Sequence, residues 1–165
     1  MSEFPPESHR LTPDTHPTPF SAEQIRDASK SGTVITYRVD PIDGDPYLDR
    51  WEFLGGDEEG GRRRRWTETL DGEVIEEPTE IESTWVDLQR HASYPSSITR
   101  LMTGKAVTPA GEFDCWVYVT ANDDGTITTA SFARSRPGPP VLMESRREGE
   151  LLFRMELVGA ERAGS

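Results

Sequence analysis

The single cysteine of this 165-residue chain, Cys115, can be paired on paper with His91, the one histidine of its central region, as a nucleophile and its base. A thiol attacks as its thiolate, so such a dyad needs a depressed pKa and an imidazole within reach. Cys115 stands inside Phe113-Asp114-Cys115-Trp116-Val117-Tyr118 and shares parity with Phe113 and Val117. That is a mid-strand apolar setting, where cysteine serves as a small hydrophobe. Sequence leaves open whether Cys115 is reactive or simply buried. Ser/His/Asp sets can also be drawn through His91, but none carries a signature. Glu52 and Glu68 are the carboxylates to inspect, because each lies in a strand beside an aromatic residue. A carboxyl inside an apolar barrel cavity would have a raised pKa and could move protons. That is the enzymatic alternative.

Metal chemistry has weaker support. One cysteine cannot form an internal disulfide or a cysteine-based zinc site. Asp40, Asp43, Asp45 and Asp49 surround Gly44, yet Pro41 and Pro46 interrupt them and the terminal bidentate glutamate of a calcium loop is absent. Gly-Gly at 55–56 and 60–61 frames Asp57-Glu58-Glu59, which reads as a loop. His9 and His16 fall in a proline-rich segment, a poor place to hold an ion. The chain has no Walker A loop, GxGxxG, HExxH or GxSxG. No catalytic, ligand-binding or metal-ligating set is assigned and no cofactor is called for; the reading leans away from an enzyme.

Charge narrows the partners. Eighteen basic residues against thirty acidic ones give a formal charge of −12. Nucleic acid and anionic membrane surfaces should be repelled, because both are bound by neutralising phosphates. Arg62, Arg63, Arg64 and Arg65 are the exception. On a strand only two of them share a face, so they make no continuous basic patch. They are expected to pair with Glu58, Glu59, Glu73, Glu76 and Glu77.

These residues need positions. Residues 1–19 carry five prolines among polar side chains and read as a flexible arm, which could dock a protein partner. Ser21 and Gln24 have capping-box spacing, with Phe20 and Ile25 as a hydrophobic staple, so a helix is expected over 22–29 with Gly32 as its stop. From Thr33 the period becomes two. Ile35, Tyr37 and Val39 alternate, then Trp51 and Phe53, then Trp66 and Leu70, then a short run at Val74 and Ile75. Asp71-Gly72 is a type I′ hairpin dipeptide. Residues 82–94 break the alternation: Ser83 or Thr84 can cap, Trp85, Leu88 and Ala92 share a helical face, and Pro95 ends it. Further strands are expected near 97–103, 112–120, 126–133, 141–145 and 151–158. Short connections exclude a parallel α/β sheet.

The fold read from these elements is mainly β (α+β). It is a strongly curved antiparallel sheet or half-barrel of about eight or nine strands with two short helices, with a closed lipocalin-like barrel as the alternative. Residues 20–160 form the half-barrel domain and 161–165 a disordered tail. Trp51, Trp66, Trp85, Trp116, Tyr37, Phe53, Tyr118 and Phe153 are spread over many elements. Large aromatics on a concave face can hold a hydrophobic ligand beneath a helix.

The stretch from Val107 to Tyr118 resembles the T-x-A-G-x-F-x-C-x-x-Y pattern of small bacterial half-barrel domains of unassigned function. In those domains a later strand carries F-A/S-x-x-x-G-x-P/V, similar here to the run from Phe132 to Val141. The wider group resembles lipoprotein-carrier half-barrels, in which a curved antiparallel sheet wraps a helix lid and shelters acyl chains. The resemblance spans residues 30–158 in element order, with its specific residues confined to 107–118 and 132–143. It implies the fold and no catalytic residue. Carrier half-barrels are exported, whereas the start of this chain lacks an export signal and no stretch is apolar enough for a membrane span. The expectation is a cytoplasmic, non-enzymatic half-barrel, monomer or homodimer, that binds a hydrophobic small molecule or a protein partner.

Overall fold

The alternation that begins at Thr33 becomes one antiparallel sheet in the computed structural model, which describes residues 3–162. Among the described residues it has nine strands: β1 (Thr33–Pro41), β2 (Tyr47–Gly56), β3 (Gly60–Thr69), β4 (Val74–Thr84), β5 (Thr99–Thr108), β6 (Gly111–Ala121), β7 (Thr126–Ala133), β8 (Leu142–Arg147) and β9 (Glu150–Arg162). Their spatial order is β4-β3-β2-β1-β9-β8-β7-β6-β5. Every pair but β1 with β9 is consecutive in sequence, so that one pairing joins two meanders into a single sheet. β4 and β5 remain as edges; the sheet is open, and the closed barrel is ruled out.

The inner face carries Trp51 and Phe53 on β2, which stand opposite Arg65 and Arg63 on β3. Across β7 and β6 the same face continues through Met143, Ala130 and Tyr118, which are successive register partners. β6 is buried on both sides. Cys115 and Val117 pack with Tyr37, Val141 and Leu157, while Tyr118, pointing the other way, packs with Phe20, Ile25, Trp85, Ala130 and Phe132.

Two helices cover the inner face. α1 (Ala22–Ala28) has both halves of its capping box: Gln24 N donates to Ser21 Oγ at 3.2 Å and Ser21 N donates to Gln24 Oε1 at 2.9 Å. α2 (Trp85–Arg90) is shorter than the expected 82–94 span, because β4 runs on to Thr84, whose side chain then caps the helix. β4 carries no alternation to read, since its middle is exposed glutamates on an edge. The type I′ turn lies elsewhere than expected. Glu148 and Gly149 both have positive φ (51° and 82°), whereas of Asp71-Gly72 only the glycine does.

The proline-rich segment lies against the domain. After a 3-10 turn over Glu7–His9 it crosses α2 and the end of the sheet. Tyr118 Oη donates to Pro17 O at 2.7 Å, His16 Nε2 to Thr99 O at 2.7 Å, and Trp116 Nε1 to Glu3 O at 2.9 Å. His9 is buried with Nδ1 donating to Thr18 O, and Thr18 is fully buried. Both histidines thus hydrogen-bond to backbone carbonyls, His16 reaching the sheet. Composition does not disclose the contacts to the sheet, because each partner lies at a long sequence separation. At the other end, Glu161 and Arg162 belong to β9, and residues 163–165 of the expected tail lie outside the described residues.

Deleting residues 1–19 strips the acceptors from the Tyr118 hydroxyl and the Gln89 amide nitrogen, so the melting temperature should fall by at least about 5 °C. Tyr118→Phe alone should cost about 1 kcal/mol in urea unfolding. An unchanged melting curve for the deletion would contradict this packing.

Candidate functional site

Between the helices and the inner face lies a cavity of about 290 Å³. Its walls come from β3, β2, β1, β9, β8 and β7, six adjacent strands, through Arg63, Phe53, Ile35, Met155, Met143 and Phe132. Laid flat, six strands would span about 24 Å at their usual spacing. One cavity of that size touches all six because the sheet bends around it. Leu88, Gln89 and Ala92 of the α2 segment close it from above, with Pro19 and Phe20 beside them. The loop Arg136-Pro137-Gly138-Pro139-Pro140 supplies the rim, and its prolines bring apolar surface without a backbone N–H. Burial pushes the Tyr94 hydroxyl, another wall residue, up to about 12, so it stays neutral.

Alternation along β3 splits the four arginines into two pairs. Arg62 and Arg64 meet Glu80 and Glu52 on the outer face. Arg65 and Arg63 face inward, Arg65 gripping Asp49 through two hydrogen bonds of 2.9 Å. Trp51 Nε1 adds a third donor to Asp49 at 3.0 Å, so a carboxylate that is only 3% exposed is fully engaged. That hydrogen bonding raises the Arg65 guanidinium above its ordinary value. Opposite-charge pairing of the run is as expected, but register gives it Glu80, Glu52 and Asp49 instead of Glu58, Glu59, Glu73 and Glu77. Glu76 lies close enough to act on Arg65 and accepts from Thr67 Oγ1.

The acid and thiol candidates do not reach the cavity. Glu52 and Glu68 sit on the outer face, where Glu68 is buried by Arg50 and accepts from Trp66 Nε1 at 2.6 Å. Cys115 is fully buried with Sγ on Phe113 O at 3.5 Å, and desolvation pushes its thiol up. His91, exposed at the end of α2, lines the cavity, which Cys115 does not, and no hydrogen bond joins the two among the described residues. The dyad is not assembled. The acidic loops are also dispersed: Asp40 binds Arg38, Asp49 is enclosed, and Asp57 caps a tight turn by accepting from Glu59 N and Gly60 N. Among the described residues no group of three or more His, Cys, Asp or Glu could hold a metal ion.

The glycines at 56, 60 and 61 have a packing role the sequence did not disclose. A Cβ on Gly61 would come within 2.5 Å of the Trp85 ring, so the β2–β3 hairpin is the floor on which α2 starts. Trp85 Nε1 donates to Asp57 O at 2.8 Å across the same contact. Of the eight aromatics singled out from the sequence only Trp51 and Phe53 line the cavity. Phe20, Tyr94, Phe132 and the 136–140 loop were missed. The capping staple could have pointed to Phe20, but the loop has no periodicity.

No family model matches the chain, and no curated protein matches it. Solved structures do. The Pseudomonas aeruginosa MucA/MucB complex is similar with a TM-score of 0.55 and 16% identity, covering 87% of this chain and 56% of that one. MucB in complex with MucA(peri) gives 0.56 and 18%, covering 87% and 53%. An uncharacterized conserved protein from Thermus thermophilus gives 0.52 and 15%, covering 87% and 85%. At such identities the likeness is one of fold. The chain spans a little over half the length of the MucB chains it matches. Among the described residues no helix is long and apolar enough to cross a membrane.

Two outcomes test this layout. Arg65→Met leaves the Asp49 carboxylate buried with one donor and should destabilise the protein by about 2–3 kcal/mol in urea. Cys115 should react with an aromatic disulfide reagent at pH 8 far more slowly in the native protein than in urea, at a rate His91→Ala leaves unchanged. Fast native labelling that falls with His91→Ala would restore the dyad.

Proposed function

We propose that this chain is a non-enzymatic half-barrel that holds a hydrophobic small molecule in the cavity beneath α1 and α2. The observation that carries the reading is the lining: mostly methionines, aromatics, aliphatics and prolines from six strands, two helices and a loop, with Arg63, Arg136, Gln89 and His91 among them and, of the described residues, no carboxylate and no cysteine. A largely apolar, partly covered site of this kind stabilises each methylene it takes from water. The likeness to half-barrels that shelter acyl chains supports it, since both segments carrying that resemblance fall in this sheet and one of them, 132–143, borders the cavity. In this reading residues 20–160 form one half-barrel domain, and the protein works in the cytoplasm, which cell fractionation tests.

A protein partner is the second reading, favoured by two observations. MucB, a structural neighbour, is found in complex with MucA. Here the edges β4 and β5 offer unpaired backbone, with Val74, Ile75 and Val107 exposed along them. A second copy of the chain could use the same edges.

The uncharged dye N-phenyl-1-naphthylamine brightens on entering an apolar site. It should bind the full chain saturably, one per chain, and Ala92→Trp, which places an indole in the cavity wall, should abolish the signal while the circular dichroism spectrum is kept. Absence of saturable dye binding by folded protein would overturn the cavity reading.

A further inference from the structure

We propose that the occupant of this cavity is an amphiphile with an anionic oxyacid head, received by Arg63 and Arg136 while its apolar tail lies among the methionines and aromatics. The inference rests on the cavity reading above and adds the head group.

Its basis is a charge left over. Arg62, Arg64 and Arg65 all meet carboxylates; Arg63, between them on the same strand, forms no ion pair among the described residues. Its guanidinium lies over the Trp51 ring at 5.4 Å, and Nη1 reaches only Ser83 Oγ at 3.4 Å. Its Nε is buried with no acceptor. Desolvation, with Arg65 nearby, holds this guanidinium below its ordinary value, the mark of a cation without its counter-charge. Buried donors are almost always satisfied, and a charged one left alone is costly. Arg136, from the rim loop, is the second cation of the same wall and likewise has no carboxylate partner among the described residues. In a chain of net charge −12, a cavity with two guanidiniums and no carboxylate is a local inversion of the surrounding field. A guanidinium presents a planar fork of N–H donors that fits carboxylate or phosphate oxygens.

The apolar walls decide against a small free anion. The net negative charge repels it at range, and two half-buried arginines offer it no enclosure. An anion attached to a hydrocarbon chain brings its own burial energy and places its head on the unsatisfied donors. Carboxylate and phosphate heads share this chemistry.

The test is displacement of N-phenyl-1-naphthylamine from the full chain by decanoate, decyl phosphate, decanol and acetate. At least one of the two charged amphiphiles should displace the dye about tenfold more tightly than decanol, while acetate does nothing. Whichever of decanoate and decyl phosphate is tighter identifies the head. Arg63→Met should remove the preference for the charged amphiphile and leave decanol unchanged; Arg136→Met serves where the first variant does not fold. Equal affinities for decanoate, decyl phosphate and decanol in the unmodified chain would overturn the head-group assignment and leave the cavity standing. Failure of the dye itself to bind would overturn both.

Discussion

One buried amide holds the roof of this molecule in place. The Gln89 side chain on α2 accepts from Ala22 N at the start of α1 at 3.0 Å and donates to Thr18 Oγ1 at 3.0 Å, with His9 O at the limit of its reach. Helix, helix and N-terminal segment meet at a group that is 6% exposed. An unsatisfied amide there would be expensive, so the three segments hold one another. Neither helix is long enough to be stable by itself. Their position over the sheet therefore depends on this junction, on Trp85 seated against the glycines of the β2–β3 hairpin, and on the Tyr118 hydroxyl gripping Pro17.

What the roof leaves underneath follows from geometry. A bent sheet presents a concave face wider than two short helices can fill, and the side chains beneath them are flexible or apolar: Met143, Met155, Ile35, Phe53. The uncovered remainder is the cavity. Around it, polarity is sorted strand by strand. Outer-face arginines on β3 find glutamates, inner-face Arg65 finds Asp49, and Arg63 is left with an aromatic ring and a buried nitrogen.

Much of the architecture was legible because it is local. The Ser21–Gln24 box, the alternation of Ile35, Tyr37 and Val39, and the strand at 126–133 each depend on neighbours within a few residues. Antiparallel pairing followed from the short joints, whereas openness against closure turns on β4 and β5 staying unpaired at the two ends of the sheet. What stayed hidden depends on distance. Nothing around Pro17 or His16 announces partners about 80 to 100 residues away. The polar β4 has no inner face to generate a pattern. Two-residue periodicity correctly divided the arginine run, but which member lacks a carboxylate depends on the register of β2 and β3. The cavity itself was foreseen as aromatics on a concave face, yet six of the eight proposed aromatics pack elsewhere.

The most direct test of the central claim is native mass spectrometry of freshly purified protein, followed by organic extraction of whatever it carries. The account predicts a stoichiometric apolar or amphiphilic mass that leaves on extraction, with the protein remaining folded. A clean apo mass at every preparation, together with no uptake of an apolar probe by the folded chain, would contradict it and move the function to the sheet edges.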